Sequence, residues 1–131
     1  MQKLTPQENK DWLASVALWA ESNGCFPYLH KVQFQIHHVL GRTKKHNKCS
    51  IGLQYVLPIQ VNLHDVMSAH YLNVTHFPAK FEDEFGTCKS MFKYMVDNMR
   101  ENNYYVPFTE ELDEVIMTTK VWGNNDLEFG G

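Results

Sequence analysis

Apolar positions in TPQENKDWLASVALWAESNG, residues 5–24, recur at helical spacing: Trp12, Val16 and Trp19 share a face, with Leu13 and Ala20 flanking it. Thr5 is placed to cap that helix, Pro6 suits its first position, and Glu8 completes a capping box. Gly24 supplies the stop. The period then changes to two. In KVQFQIHHV, Val32, Phe34 and Ile36 alternate with Gln33, Gln35 and His37, which predicts a half-buried strand with His38 following the apolar side. Gly41 opens a polar loop, and a second apolar run follows from Tyr55 to Ile59, where Pro58 marks a strand end or edge. Two strands joined by a polar loop predict a hairpin.

The pattern of VNLHDVMSAHYLNVTH, residues 61–76, is mixed and leaves helix and loop both open. FPAKFEDEFG predicts a short amphipathic helix with Phe81 and Phe85 inward and Gly86 ending it. Its acids Glu82, Asp83 and Glu84 are read as surface charges. Thr87 can cap a further helix, in which Met91, Phe92, Met95, Val96 and Met99 form a core-facing stripe. TEELDEVIMTTKVW predicts a last helix capped by Thr109, with Leu112, Val115, Ile116 and Trp122 inward, and the GNNDLEFGG tail is expected to fray. No internal repeat or low-complexity linker interrupts the chain. The expectation is one α+β domain over residues 1–131. It has an N-terminal helix at 5–23, a hairpin-and-helix core at 30–86 and C-terminal helices at 87–122, wrapping the core from both ends.

Length agrees, since 131 residues suit one core that buries roughly two thirds of the unfolded surface. With 44% hydrophobic and 21% charged residues the composition is that of an ordinary globular chain, and no apolar run approaches the ~20 residues that span a bilayer. MQKLTPQENKDW lacks the basic-then-apolar layout of a signal peptide, so a cytoplasmic protein with no membrane partner is expected. Cys25, Cys49 and Cys88 are odd in number and far apart, which excludes a CxxC zinc knuckle and favours reduced, structural thiols.

Charge changes the picture more. The net charge of -3 argues against a protein that coats nucleic acid, but its distribution does not. Between Ser22 and His64 there is no Asp or Glu, against five bases: Lys31, Arg42, Lys44, Lys45 and Lys48. After Val66 there are eleven acids and five bases. An acidic body with one basic strand and loop can bring a polyanion to a defined place.

Six of the seven histidines fall between positions 37 and 76. Imidazole can take a proton near neutral pH or, when neutral, bind a borderline metal ion. Hydrolysis of a phosphodiester uses both services: a base for water, and a cation to hold the phosphate and stabilise the departing alkoxide. Adjacent residues on a strand face opposite sides, so His37 and His38 are suited to different tasks.

The order of parts adds to this. "HHVLGR", then "VLPI", "LH" and "FEDEFG", resembles the HNH or His-Me finger nucleases, and within them the phage branch that includes the recombination enhancement function nuclease. The resemblance spans roughly His37 to Val96. It implies that residues 30–86 form a ββα-metal core holding one divalent ion, Mg²⁺, Mn²⁺ or Zn²⁺. It further implies His38 as general base, His37 and His64 as ligands, and DNA, double- or single-stranded, as the substrate. Phage or prophage recombination is the implied process, with host or phage recombination proteins as further partners. The family's usual spacing of four from His64 falls on Ser68, so His70 or His76 would supply the third ligand. The polar residue that props the base falls near Leu53, with Gln54 as its counterpart. Asp65 is placed to orient His64 from behind. Arg42, Lys44, Lys45 and Lys48 would grip backbone phosphates without reading sequence. Two rivals stand beside this reading: a degenerate nuclease fold that binds nucleic acid or a host protein without cutting, and a structural zinc site.

Overall fold

The computed structural model describes residues 4–41, 45–46 and 49–118, with the backbone alone at 45–46 and 49–50. Over these residues the fold is α+β, with four helices and two small antiparallel ladders. Helix α1 spans Pro6–Asn23 and starts as the sequence expects: Thr5 accepts from the Glu8 amide while the Glu8 carboxylate accepts from the Thr5 amide. It ends at Gly24, whose φ of +99° an L side chain rarely adopts and where an added Cβ would meet the Leu29 carbonyl oxygen at 2.1 Å. The chain folds back so tightly there that only hydrogen fits.

Strand β1, Phe34–His38, pairs antiparallel with β4, Val56–Gln60, in the register Phe34↔Gln60, Ile36↔Pro58 and His38↔Val56. The strand begins later than alternation suggests, since Val32 lies outside it and is 49% exposed. Between them, β2 (Lys45–His46) and β3 (Cys49–Ser50) make a two-residue ladder of their own. Pro58 sits in the middle of β4 rather than at its end. Its carbonyl accepts from Phe26 at 2.9 Å, and the Gln60 amide donates to Phe26, so at Pro58 the backbone faces away from β1. The missing amide costs the β1–β4 ladder nothing.

After β4 comes a single 3-10 turn, Val61–Leu63, and then irregular chain to residue 77. Helix α2 is Pro78–Phe85, α3 Cys88–Glu101 and α4 Glu110–Thr118. Thr87 caps α3 by accepting from Ser90, as expected, and Met91, Phe92, Met95, Val96 and Met99 are all buried. Leu112 and Ile116 carry α4 into the same core, with Val115 half-buried; Trp122 and the tail lie outside the described residues.

That core packs α1 and α3 against β4, four of whose five residues are buried. Two indoles stitch it together. Trp19 donates to Asn98 at 2.9 Å, joining α1 to α3, and Trp12 donates to the Gln54 carbonyl at 3.0 Å. Arg100 pairs with Asp113 and donates to the Phe108 carbonyl at 3.0 Å, fastening α4 to α3. Cys25 and Cys88 are buried free thiols. Among the described residues no helix is long and apolar enough to cross a membrane.

Candidate functional site

On one face of the ribbon, β1 sets two polar side chains beside the buried Leu57 and Ile59 of β4. On β1, Gln35 and His37 share a face, and Phe34, Ile36 and His38 take the other. Pairing runs through His38↔Val56, so the two adjacent histidines lie on opposite sides of a regular strand. The 3-10 turn after β4 then delivers His64 over the Gln35 and His37 face. The ring centres of His37 and His64 are 5.0 Å apart and the rings cross at 69°.

Both rings are neutral near pH 7. Burial pushes the His37 imidazole down to about 3, and charge on His64 or His38 would oppose its protonation further. Burial also lowers His64, with the Asp65 carboxylate opposing that shift in part. A neutral imidazole keeps one nitrogen lone pair, which is the form that binds a cation.

Asp65 does not itself hold His64. Its Oδ2 accepts from the Gln35 amide at 3.2 Å and its Oδ1 from the Met67 amide at 2.9 Å, and Gln35 Oε1 stands 2.6 Å from His64 Nδ1. The carboxylate therefore acts on the ring through Gln35, a residue outside the histidine motif. Its signal was present in the alternation, which already set Gln35 and His37 on one face.

The other sequence candidates have partners of their own. Gln54 is 3% exposed; its amide donates to Asn9 at 2.7 Å and its carbonyl receives Trp12, so it fastens α1 to the turn before β4. His70 Nδ1 accepts from the Leu72 amide at 3.0 Å, and the ring stacks on Tyr71. His76 Nε2 lies 2.9 Å from the Val66 carbonyl, an acceptor, so that nitrogen donates. Ser68, at the spacing of four, donates to the Asn62 carbonyl at 2.6 Å. Arg42, Lys44 and Lys48 lie outside the described residues, as does the side chain of Lys45.

Segment 64–77 is irregular but built. Asn73, fully buried, donates to the Asp65 carbonyl at 2.9 Å and accepts from the Thr75 and His76 amides. Val74 donates to the Leu63 carbonyl at 2.7 Å, and the Thr75 hydroxyl donates to that of His64. These side-chain bonds replace a ladder or helix, which is why no period announces them.

Two neutral imidazoles suit a borderline divalent ion, with its remaining positions left to water and phosphate oxygens. Among the described residues no three His, Cys, Asp or Glu side chains gather into a metal-holding group, so none of those residues joins His37 and His64 as a third ligand. A cavity of about 520 Å³ between α3 and α4, lined by Lys93, Asp97, Glu110, Asp113 and Glu114 among others, involves none of the histidines. Set against protein-family models, curated proteins and solved structures, the chain matches none of them.

Proposed function

We propose that this chain is a metal-dependent endonuclease that hydrolyses DNA phosphodiester bonds. The observation that carries the reading is the His37 and His64 pair: two half-buried, neutral imidazoles, 5.0 Å apart, on one face of a strand whose last residue, His38, lies on the other face. In this reading His37 and His64 hold the ion, which when bound neutralises the phosphate and eases departure of the alkoxide. His38 takes the proton from the attacking water as general base, and the acid-free segment from Ser22 to His64, with Arg42, Lys44, Lys45 and Lys48, draws the DNA backbone to it. A ββα-metal core at 30–86, a place in phage or prophage recombination, and a cytoplasmic site of action belong to the same proposal.

Supercoiled plasmid incubated with the protein and added Mg²⁺, Mn²⁺ or Zn²⁺ tests it. Nicking that disappears in a folded His38→Ala variant is the expected outcome. Absence of nicking with every metal would sink the nuclease reading, and undiminished nicking by His38→Ala would remove His38 from its role alone.

One observation favours a second reading, a nuclease-like fold that binds DNA or a protein without cutting. Both candidates for the third ligand are engaged by loop backbone, His70 by Leu72 and His76 by Val66. Salt-sensitive DNA binding with no cleavage under any metal is its signature.

A further inference from the structure

The amide of Gln35 lies between two groups of opposite demand. On one side is the Asp65 carboxylate, 3.2 Å from Nε2, and on the other His64 Nδ1, 2.6 Å from Oε1. A carboxylate accepts hydrogen bonds only, so the NH₂ end of the amide must face Asp65. The carbonyl end must then face the ring. A carbonyl oxygen is likewise an acceptor only, and at this separation Nδ1 has to carry the hydrogen. Reversing the amide is excluded whichever way it is drawn, because its oxygen would then face the Asp65 carboxylate, two acceptors with no hydrogen between them.

Asp65 is in turn fixed. Its second oxygen accepts the Met67 amide at 2.9 Å, and its own carbonyl receives the buried Asn73 amide at 2.9 Å. At the other end Gln35 sits within β1, on the same face as His37 and opposite Ile59 in the ladder. Order therefore passes from a hydrogen-bonded loop through one side chain to the His64 ring, while the strand that carries this side chain also carries His37.

We propose that Gln35 is a positioning residue that commits His64 to the Nδ1–H tautomer and so presents Nε2, beside His37, as the ligand atom for a divalent cation. The ligand half of this statement rests on the metal-dependent reading above; the tautomer half does not. With Nδ1 occupied, the ring can offer a cation only one nitrogen, and the partner behind it raises that nitrogen's basicity. Loss of such a partner typically weakens metal affinity by about 10- to 100-fold.

Imidazole ¹⁵N spectra of the full chain, labelled at histidine and free of metal, test the tautomer directly. His64 is expected to show a protonated Nδ1 and an unprotonated Nε2. Gln35→Leu should populate both tautomers, and Asp65→Asn, which removes the demand for an NH₂, should do the same by a second route. A predominant Nε2–H form in the unaltered protein, or a tautomer unchanged in both variants, overturns the proposal. Titration with Zn²⁺ alone should then shift His64 Nε2, and Gln35→Leu should weaken Zn²⁺ binding about 10- to 100-fold with far-ultraviolet circular dichroism unchanged. A shift at Nδ1, or no Zn²⁺ binding at all, overturns the ligand role. The two readings fail separately. Nicking by a protein whose His64 is Nε2–H leaves the nuclease reading and removes this one, whereas an Nδ1–H ring in a protein that cuts nothing does the reverse.

Discussion

His37 and His64 on the ribbon face contrast with His70 and His76 in the segment that follows. All four belong to one cluster in the sequence, yet their surroundings differ in kind. On the ribbon, ladder bonds between β1 and β4 use up backbone amides and carbonyls, so an imidazole there finds side chains: His37 meets His64, and His64 meets Gln35. In the irregular segment no ladder takes up every backbone group, and the rings bond some of them, His70 from Leu72 and His76 to Val66. Packing against the paired strand thus decides which histidines face each other, since His64 lies in the irregular segment too but is set over β1. A histidine beside a paired strand stays available to a ligand, and one in a loop becomes part of the loop's own scaffolding.

Activity gives the widest test of that contrast. Alanine at His37, His38 or His64 should reduce plasmid nicking by about 10²- to 10⁴-fold, the usual weight of a general base or comparable group, whereas alanine at His70 should leave most of it. Equal losses on both sides, measured as initial nicking rates, would break the comparison. Stability should show the converse. Asn73→Ala leaves the Thr75 and His76 amides without their side-chain acceptor and takes one of two donors from the Asp65 carbonyl, which keeps the Ser68 amide, and should cost about 2 kcal/mol in urea unfolding. Hydrogen exchange in that variant should quicken over residues 64–77 while β1 and β4 stay protected.

Acid separates the groups next. The unfolded chain binds a proton at His37 near pH 6.5, but the folded chain does not until about pH 3. Stability is therefore complete above pH 6.5 and falls below it by about 1.4 kcal/mol per pH unit from this residue, or about 2 kcal/mol by pH 5. Denaturant midpoints of the metal-free protein at pH 7.5 and 5 should show the loss, and His37→Phe should flatten it. The smallest effect belongs to His76→Ala, which deletes one exposed hydrogen bond to Val66 and should cost about 1 kcal/mol with Zn²⁺ affinity unchanged.

Much of the scaffold was legible because it obeys a period or a cap. The Trp12, Val16 and Trp19 face, the Thr5 capping box, the methionine stripe of α3 and the pairing of the two apolar runs stand where the pattern sets them. Segment 64–77 was not legible, since Asn73, Asp65 and Thr75 hold it through side chains at no regular interval. Pro58 was legible in part: it marks an edge strand, but it stands in the middle of β4 rather than at its end. Whether a proline ends a strand depends on which way its backbone faces, and that is set by Phe26, more than thirty residues earlier. At the site, alternation set Gln35 beside His37, but only the fold puts His64 against both.

The Phe26 contact also bears on how this molecule behaves at high concentration. A two-stranded ribbon is mostly border, and an open border is where one chain can add itself to another. Along β4 that border is closed twice, by the exchange of hydrogen bonds with Phe26 and by a proline that offers no amide. A neighbouring molecule arriving there finds no row of free donors to continue, so the same few atoms that seat the ribbon on the core also keep copies of the chain from zipping together along β4.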